Sequence, residues 1–119
     1  MQWRFRLRNS DDFARMRREG RTCTGGGLLL GVLPNGLEHN RYGFVTSKQV
    51  GKAVVRNRVR RLLREAVRQL HPRLKPGVDV VLVARPSLVE KPFSAIQRTV
   101  EQLCYQAQIL QEEKGAEEA

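Results

Sequence analysis

The longest regular pattern of apolar and polar residues in the chain runs from Val50 to Leu70. When this segment is read as an α-helix, its apolar residues fall on a single stripe along one side. The stripe consists of Val55, Val59, Leu62, Leu63, Ala66, Val67 and Leu70. The opposite side carries Asn57, Arg58, Arg60, Arg61, Arg64 and Arg68, with Glu65 as its single acid. The pattern therefore predicts a long amphipathic helix that buries one side and exposes a cationic one.

The segment before the long helix begins with a shorter amphipathic pattern. A helix capped by one of the residues 9–11 is predicted to run to about Glu19, with Phe13 and Met16 facing inward. Segment 21–27 contains three consecutive glycines. It is predicted to be a linker-like loop or a flexible lead-in to a strand.

Three further segments are predicted to be strands, and one more is predicted to be a helix. The strands are Leu28–Leu33, Arg41–Ser47 and Asp79–Ala84, and the helix is Phe93–Leu110. Because the long helix connects the second strand to the third, these two strands are predicted to be parallel. The predicted fold class is α+β: a single-domain sandwich in which helices pack a small mixed β-sheet, in the order α-β-β-α-β-α. The arginine-rich helix is the crossover in this order.

The charge of the chain is strongly basic and unevenly distributed. Its 22 lysines and arginines outnumber its 12 acids, which gives a net charge of +10. Four of the acids and one lysine lie in residues 112–119, so residues 1–111 carry 21 minus 8, or +13. A charge of this size on a small body is typical of nucleic-acid-binding proteins. We therefore predict a single RNA-binding domain, residues 1–111, followed by an acidic disordered tail, residues 112–119.

The distribution of the arginines indicates which partner they bind. Exposed helix faces usually mix Glu and Lys so that opposite charges pair four residues apart. On the cationic side of Val50–Leu70 the charges are alike, so they repel one another unless an anion lies between them. Guanidinium groups suit phosphate oxygens because their planar donors can engage two oxygens at once. This side is therefore predicted to bind a phosphate backbone.

The sequence also limits the classes of site and compartment. No stretch approaches the roughly 18 apolar residues that a membrane span needs, and the N-terminus lacks the apolar core of a secretory signal. Cys23 and Cys104 are far apart, so both are predicted to be reduced thiols in a cytoplasmic protein. The acids outside the tail are spread over separate elements, and His39 and His71 flank different turns. Neither a protein active site nor a metal site is therefore predicted.

Four stretches resemble one known family. The stretch GKAVVRNRVRRLLREAVR, with Arg56-Asn57-Arg58 at its centre, resembles the signature of the bacterial ribonuclease P protein subunit. The resemblance extends to RYGFVTSKQVGKA, to RLRNSDDFARMRREG and to DVVLVARP, and it covers roughly residues 4–110. It implies a ribonucleoprotein endonuclease that removes the 5′ leader of precursor tRNA. It also implies that the catalytic groups lie on the RNA subunit, which binds most of the Mg²⁺, and that the protein lowers the Mg²⁺ requirement.

The resemblance assigns roles by position. The contacts with the catalytic RNA are expected at Lys52, Arg56, Asn57, Arg58, Arg60, Arg61, Arg64 and Arg68. The leader is expected in a cleft between the first helix and the sheet, at Phe13, Arg17, Tyr42, Phe44, Ser47 and Lys48. Two positions depart from the family: Arg17 replaces a second aromatic, and Gln49 replaces the second lysine of a pair. The expected partners are one catalytic RNA per protein and precursor tRNA, with no membrane and no small-molecule substrate.

Two alternatives remain open at this point. A structural RNA-binding protein, such as a ribosomal component, would carry the same charge and the same arginine-rich helix. A stand-alone nuclease would need converging carboxylates, which the sequence does not provide. Rescue of precursor-tRNA cleavage at low Mg²⁺ separates the first alternative from the ribonuclease P interpretation, and RNA cleavage by the protein alone would support the second.

Overall fold

The computed structural model describes residues 10–111. It contains three helices and four strands in the order α1 (Ser10–Glu19), β1 (Arg21–Gly25), β2 (Leu28–Pro34), β3 (Arg41–Thr46), α2 (Ala53–Leu70), β4 (Val78–Ala84) and α3 (Phe93–Gln106). Short 3-10 turns occupy Lys48–Val50, His71–Arg73 and Pro86–Leu88. The predicted acidic tail, residues 112–119, lies outside the described residues. The α+β class is confirmed.

The four strands form one mixed sheet in the order β1-β2-β4-β3. Strand β3 pairs with β4 in parallel, as predicted, and α2 is the crossover between them. The pairs β1–β2 and β2–β4 are antiparallel. Strand β4 is therefore central, as its β-branched sequence predicted.

The predicted order lacked one strand, because segment 21–27 is not a linker. Residues Arg21–Gly25 form β1, which pairs with β2 through a two-residue turn at Gly26 and Gly27. Both turn glycines have positive φ, 59° and 84°, as the tightest hairpin turns require. Strand β1 was missed because it is an edge strand. Only Cys23 among its five residues is half-buried, so the strand shows no apolar alternation.

Helices α2 and α3 together cover one face of the sheet. The buried side of α2 consists of Val59, Leu63, Ala66, Val67 and Leu70, which confirms the predicted stripe. These side chains pack against the inward residues of the strands and against α3 in one continuous core. Helix α2 begins three residues later than predicted, after the turn at Lys48–Val50 and Gly51. Helix α3 ends at Gln106, and Leu110 instead pairs with Leu74 in an isolated bridge.

An ion pair holds the starts of the two parallel strands together. Asp79 is buried at the start of β4 and accepts two hydrogen bonds from Arg41, at 2.9 and 2.7 Å. The side-chain amide of Asn35 donates a third hydrogen bond to Asp79, at 3.0 Å. A buried carboxylate with three donors is compensated for its loss of hydration. Arg41 and Asp79 are also partners in the parallel ladder of β3 and β4, so the ion pair reinforces the register of the two strands that α2 connects.

Candidate nucleic-acid interface

The residues predicted to contact RNA lie together on the outer side of α2 and at its N-terminal end. Lys52, Asn57, Arg58, Arg61 and Arg68 are exposed, and Arg56, Arg60 and Arg64 are half-buried at the edges of the helix. The eight side chains define a cationic surface, called here the α2 face. Its opposite side is the apolar stripe, so the helix is anchored by burial while the cations stay accessible.

Local hydrogen bonds position several side chains of the α2 face. Arg58 donates to the carbonyl oxygen of Val89 at 3.0 Å, which ties the helix to the loop after β4. Arg60 donates to Asn57 Oδ1, so the mid-helix asparagine has a polar partner. A guanidinium group has five N–H donors, and each of these bonds uses one. The remaining donors are available to an anion.

The single acid on this helix forms a local pair. Glu65 accepts hydrogen bonds from Arg68 at 2.6 and 2.8 Å and from Gln69 at 3.2 Å. The hydrogen bonds from Arg68 lower the pKa of Glu65 to about 2. Arg68 is therefore the member of the α2 face whose charge is balanced within the helix. The other arginines of the face give it its positive potential.

Arg64 links the α2 face to the sheet beneath it. Its guanidinium carbon lies 6.0 Å from the centroid of the Phe44 ring, within the range of a cation–π contact. Phe44 is on β3 and packs against the core below α2. An aromatic ring at this position restricts the orientations of Arg64.

A cleft lies on the opposite face of the sheet, where α1 is the helix of residues 10–111 that packs against the strands. The cavity has a volume of about 290 Å³ and is lined by Phe13, Met16, Arg17, Thr22, Leu29, Gly31, Val45, Val81 and Val83. Phe13 is half-buried against Met16 and Val81, and Arg17 is exposed one turn later. Gly31 lets α1 approach the sheet, because a Cβ atom there would meet the Met16 side chain at 3.1 Å. The cleft therefore joins an apolar floor to one cation.

The predicted set of six leader-binding residues does not form one site. Phe13 and Arg17 line the cleft, but Tyr42 and Phe44 pack into the core on the other face of the sheet. Side chains alternate along a strand, so Val45 is the β3 residue that reaches the cleft. The prediction that Tyr42 and Phe44 line the cleft is therefore wrong, because both side chains lie on the other face of the sheet. Ser47 and Lys48 are exposed just after β3 ends.

Tyr42 takes part in a buried polar network. Its side chain is 2% exposed, and its hydroxyl accepts a hydrogen bond from the Asn40 side-chain amide at 3.1 Å. The hydroxyl lies 2.6 Å from His71 Nδ1 at the end of α2. Burial raises the pKa of Tyr42 to about 12 and lowers the pKa of His71. The network fixes the end of α2 to β3, which is a structural role.

The sequence pattern alone does not reveal the floor of the cleft. The floor is formed by Leu29, Gly31, Val45, Val81 and Val83, which occupy alternate positions of β2, β3 and β4. The signal was present in β4, whose β-branched run has apolar residues on both faces. The run does not indicate which face is open.

The described part of the chain offers no obvious site for a metal ion. Between residues 10 and 111, no group of three or more His, Cys, Asp and Glu side chains is placed to hold one. Both cysteines are free thiols, and burial raises the pKa of Cys104 to about 12. None of the helices in residues 10–111 combines the length and the apolar character of a membrane span.

Comparison with known proteins gives a consistent result. The sequence model of the family described as Ribonuclease P matches residues 1–108. The chain is 47% identical over 108 residues to the ribonuclease P protein component of Roseiflexus sp. strain RS-1, covering 90% of this chain and 88% of that one. It is 38% identical over 109 residues to the component of Caldanaerobacter subterraneus subsp. tengcongensis, covering 92% and 94%. The solved ribonuclease P protein of Thermotoga maritima superposes with a TM-score of 0.79 at 27% identity, covering 85% and 96%.

Proposed function

Because the chain belongs to the ribonuclease P protein family, we propose that two surfaces on opposite sides of its sheet divide the binding of RNA. As a protein component of ribonuclease P, the chain is a subunit of a tRNA-processing ribonuclease holoenzyme and partners with an RNA subunit. The α2 face binds that RNA subunit, and the cleft beside α1 binds the single-stranded 5′ leader of precursor tRNA.

The observation that carries the proposal is the α2 face. Eight polar or cationic side chains lie on the outer side of α2 and at its N-terminal end, and the single acid of this helix is paired with Arg68. Such a surface attracts a polyanion and releases the counterions condensed on it. Arginine forks bind phosphate oxygens without reading sequence, so the α2 face positions the RNA and does not select a base.

The cleft supports the second half of the proposal. Phe13 offers an aromatic edge for an unpaired base, and Arg17 offers a cation for the adjoining phosphate. Ser47 and Lys48, which follow β3, extend the binding path beyond the cleft. Phe44 contributes indirectly, because it contacts Arg64 of the α2 face, and Tyr42 contributes by holding the end of α2.

Catalysis and metal binding are assigned to the RNA subunit. The resemblance of the sequence to the family supports this assignment, and so does the pairing of three acids of the chain with arginines. Asp79 is paired with Arg41, Glu65 with Arg68 and Glu101 with Arg73. Mg²⁺ is held mainly by RNA, where it supplies charge neutralisation, and the protein lowers the concentration required by adding its own cations. We further propose that one protein binds each RNA subunit and that the holoenzyme acts in the cytoplasm.

The ribosomal-type alternative rested on charge and on the arginine-rich helix alone. Both features are common to many RNA-binding proteins, so they do not discriminate. The family match over residues 1–108 does discriminate, and it favours ribonuclease P.

Reconstitution tests the proposal. The RNA subunit transcribed from the same organism is incubated with labelled precursor tRNA at a low Mg²⁺ concentration, with and without this protein. The protein is expected to restore cleavage at the 5′ end of the mature tRNA and to cleave nothing when the RNA subunit is omitted. An unrelated basic protein of similar charge controls for simple screening. Cleavage by the RNA-free protein, or no effect of the protein on the RNA, would contradict the proposal.

A further inference from the structure

A third surface lies on the outer side of α3, away from the α1 cleft. It consists of two adjoining cavities of about 550 and 710 Å³ that share Tyr105, Gln106 and Leu110 as walls. Lys75 lines the first cavity, and Arg73, Arg98, Glu101 and Gln102 line the second. We call this surface the Tyr105 groove. Both volumes are in the range of sites that hold small ligands.

The side chain of Tyr105 is the unusual feature of the groove. It is 74% exposed, although a tyrosine ring is a large apolar surface that folding usually buries. It is not needed for the core, because Leu103, Cys104 and Ala107 already anchor this turn of α3. Arg98 and Gln102 lie on the same exposed stripe, seven and three residues earlier. An accessible ring in a groove that cations also line is an arrangement that can stack an unpaired base and bind its phosphates.

The charge of the groove favours an anionic occupant. Lys75 and Arg98 are exposed cations on its two sides. Among the lining residues that the structure describes, the acid is Glu101, and it is paired with Arg73 at 3.2 Å. Two copies of this chain that met at this surface would bring together two patches of the same net sign, which disfavours self-association there.

The groove continues the α2 face. Gln97 of α3 donates a hydrogen bond to Gln69, which follows Arg68 near the end of α2. Arg73 lies in the turn that directly follows the helix. An RNA strand that crosses the C-terminal end of α2 therefore meets the groove next.

We propose that the Tyr105 groove binds an unpaired nucleotide of the RNA subunit, with the base stacked on Tyr105 and the flanking phosphates at Arg98 and Lys75. The proposal rests on the partnership with the RNA subunit and is independent of the leader cleft. It adds a stacking contact to a surface that otherwise binds by charge.

The affinity of the full chain for the RNA subunit, measured over a series of salt concentrations, tests this proposal. Tyr105→Ala should weaken binding about tenfold at every salt concentration, because stacking involves no counterion release. Tyr105→Phe should bind within about twofold of the unmodified chain, because it keeps the ring. Arg98→Gln should flatten the slope of log K against log salt by about 0.7, the value for one phosphate of a single strand.

Leu37→Ala is the matched control, because Leu37 is also an exposed apolar side chain but lies in the turn after β2. It should bind the RNA subunit normally, and thermal melts of all four variants should match that of the unmodified chain. Unchanged affinity of Tyr105→Ala would overturn the proposal. Equal losses in Tyr105→Ala and Tyr105→Phe would also overturn it, and so would a dimer of the free chain that Tyr105→Ala dissociates, since a second copy would then occupy the groove.

The variant Arg58→Glu/Arg61→Glu separates this inference from the proposed function. If that double variant binds the RNA subunit normally while Tyr105→Ala binds weakly, the α2 face is refuted and the groove stands. If the double variant alone binds weakly, the groove is refuted and the α2 face stands.

Discussion

The two faces of the sheet are covered by unequal amounts of protein. On one face, α2 and α3 together enclose Leu28, Leu30, Leu63 and Leu82, each no more than 1% exposed. On the other face, and within residues 10–111, only α1 covers the sheet, over a small cluster whose buried members are Met16 and Val81. The first face is filled, and the second leaves a cleft of about 290 Å³.

The difference shows that a cleft can form where fewer helices pack against a sheet, even when the strand residues that line it are ordinary aliphatic ones. Strand β4 presents Val80 and Leu82 to the filled face and Val81 and Val83 to the cleft, so its two sides have similar chemistry. Where two helices pack on these aliphatic side chains, they form the core. Where one helix packs on them, they form the floor of the cleft. The α2 face lies on the solvent-exposed side of the layer that α2 and α3 form over the filled face.

The largest effect on stability should come from the filled face, and two matched substitutions measure it. Val80→Ala should lower the free energy of unfolding by about 2 kcal/mol, because it removes two buried methyl groups and leaves a cavity. Val83→Ala, on the same strand, should cost about half as much because its side chain already borders open space. Urea denaturation gives both values. Equal costs would show that the two faces are packed alike.

A smaller effect, on binding, should follow from Phe13→Ala. The assembled particle should bind precursor tRNA about tenfold more weakly, because a stacked base of the leader loses its partner. Its affinity for mature tRNA, which has no leader, should stay nearly unchanged. Arg18→Ala, an exposed change on the same helix, is the control. A large drop in melting temperature with equal losses for both tRNAs would show that Phe13 is only packing.

The smallest effect concerns how the free energy of unfolding depends on pH, through the Tyr42–His71 network of the filled face. Asn40 donates to the Tyr42 hydroxyl, which leaves the hydroxyl proton for His71 Nδ1 and favours the neutral imidazole. Burial also lowers the pKa of His71. Below about pH 6.5 the unfolded chain therefore binds a proton that the folded chain does not, and the free energy of unfolding falls.

Substitution separates this contribution from those of other groups. His71→Gln and Tyr42→Phe should each give a shallower loss of stability between pH 7.5 and 5.5 than the unmodified chain. Denaturation midpoints at several pH values provide the measurement. An identical pH dependence in all three chains would contradict the role of the network.

Much of the fold was predictable because its longest elements repeat one pattern many times. Helix α2 spans 18 residues, and its stripe identified the buried side and the cationic side together. The β-branched run of β4 indicated a central strand, and the helix between β3 and β4 indicated a parallel pair. Strand β1 was not predictable in this way, because a five-residue edge strand with one half-buried residue carries too little alternation.

Site residues were predictable only where the spacing in the sequence determines which side chains are exposed to solvent. The α2 face follows from helix geometry, since residues on one side of a helix are determined by spacing. Tyr42 and Phe44 share a face of β3, but their sequence does not say which helix covers that face. Tyr105 carries no signal either, because an aromatic residue on an amphipathic helix is usually buried.

The most direct test of the central claim is the salt dependence of RNA-subunit binding by the variant Arg58→Glu/Arg61→Glu. The change removes the hydrogen bond from Arg58 to the Val89 carbonyl oxygen. Both side chains are exposed, so the fold should nevertheless be retained, and the Arg64–Phe44 contact is left intact. The control Arg18→Glu/Arg85→Glu makes the same change in net charge at exposed sites outside α2. The α2 variant should bind at least tenfold more weakly, and its slope of log K against log salt should flatten by up to about 0.9 for each phosphate that it no longer engages. The control should keep the original slope, and equal behaviour of the two variants would contradict a specific α2 face.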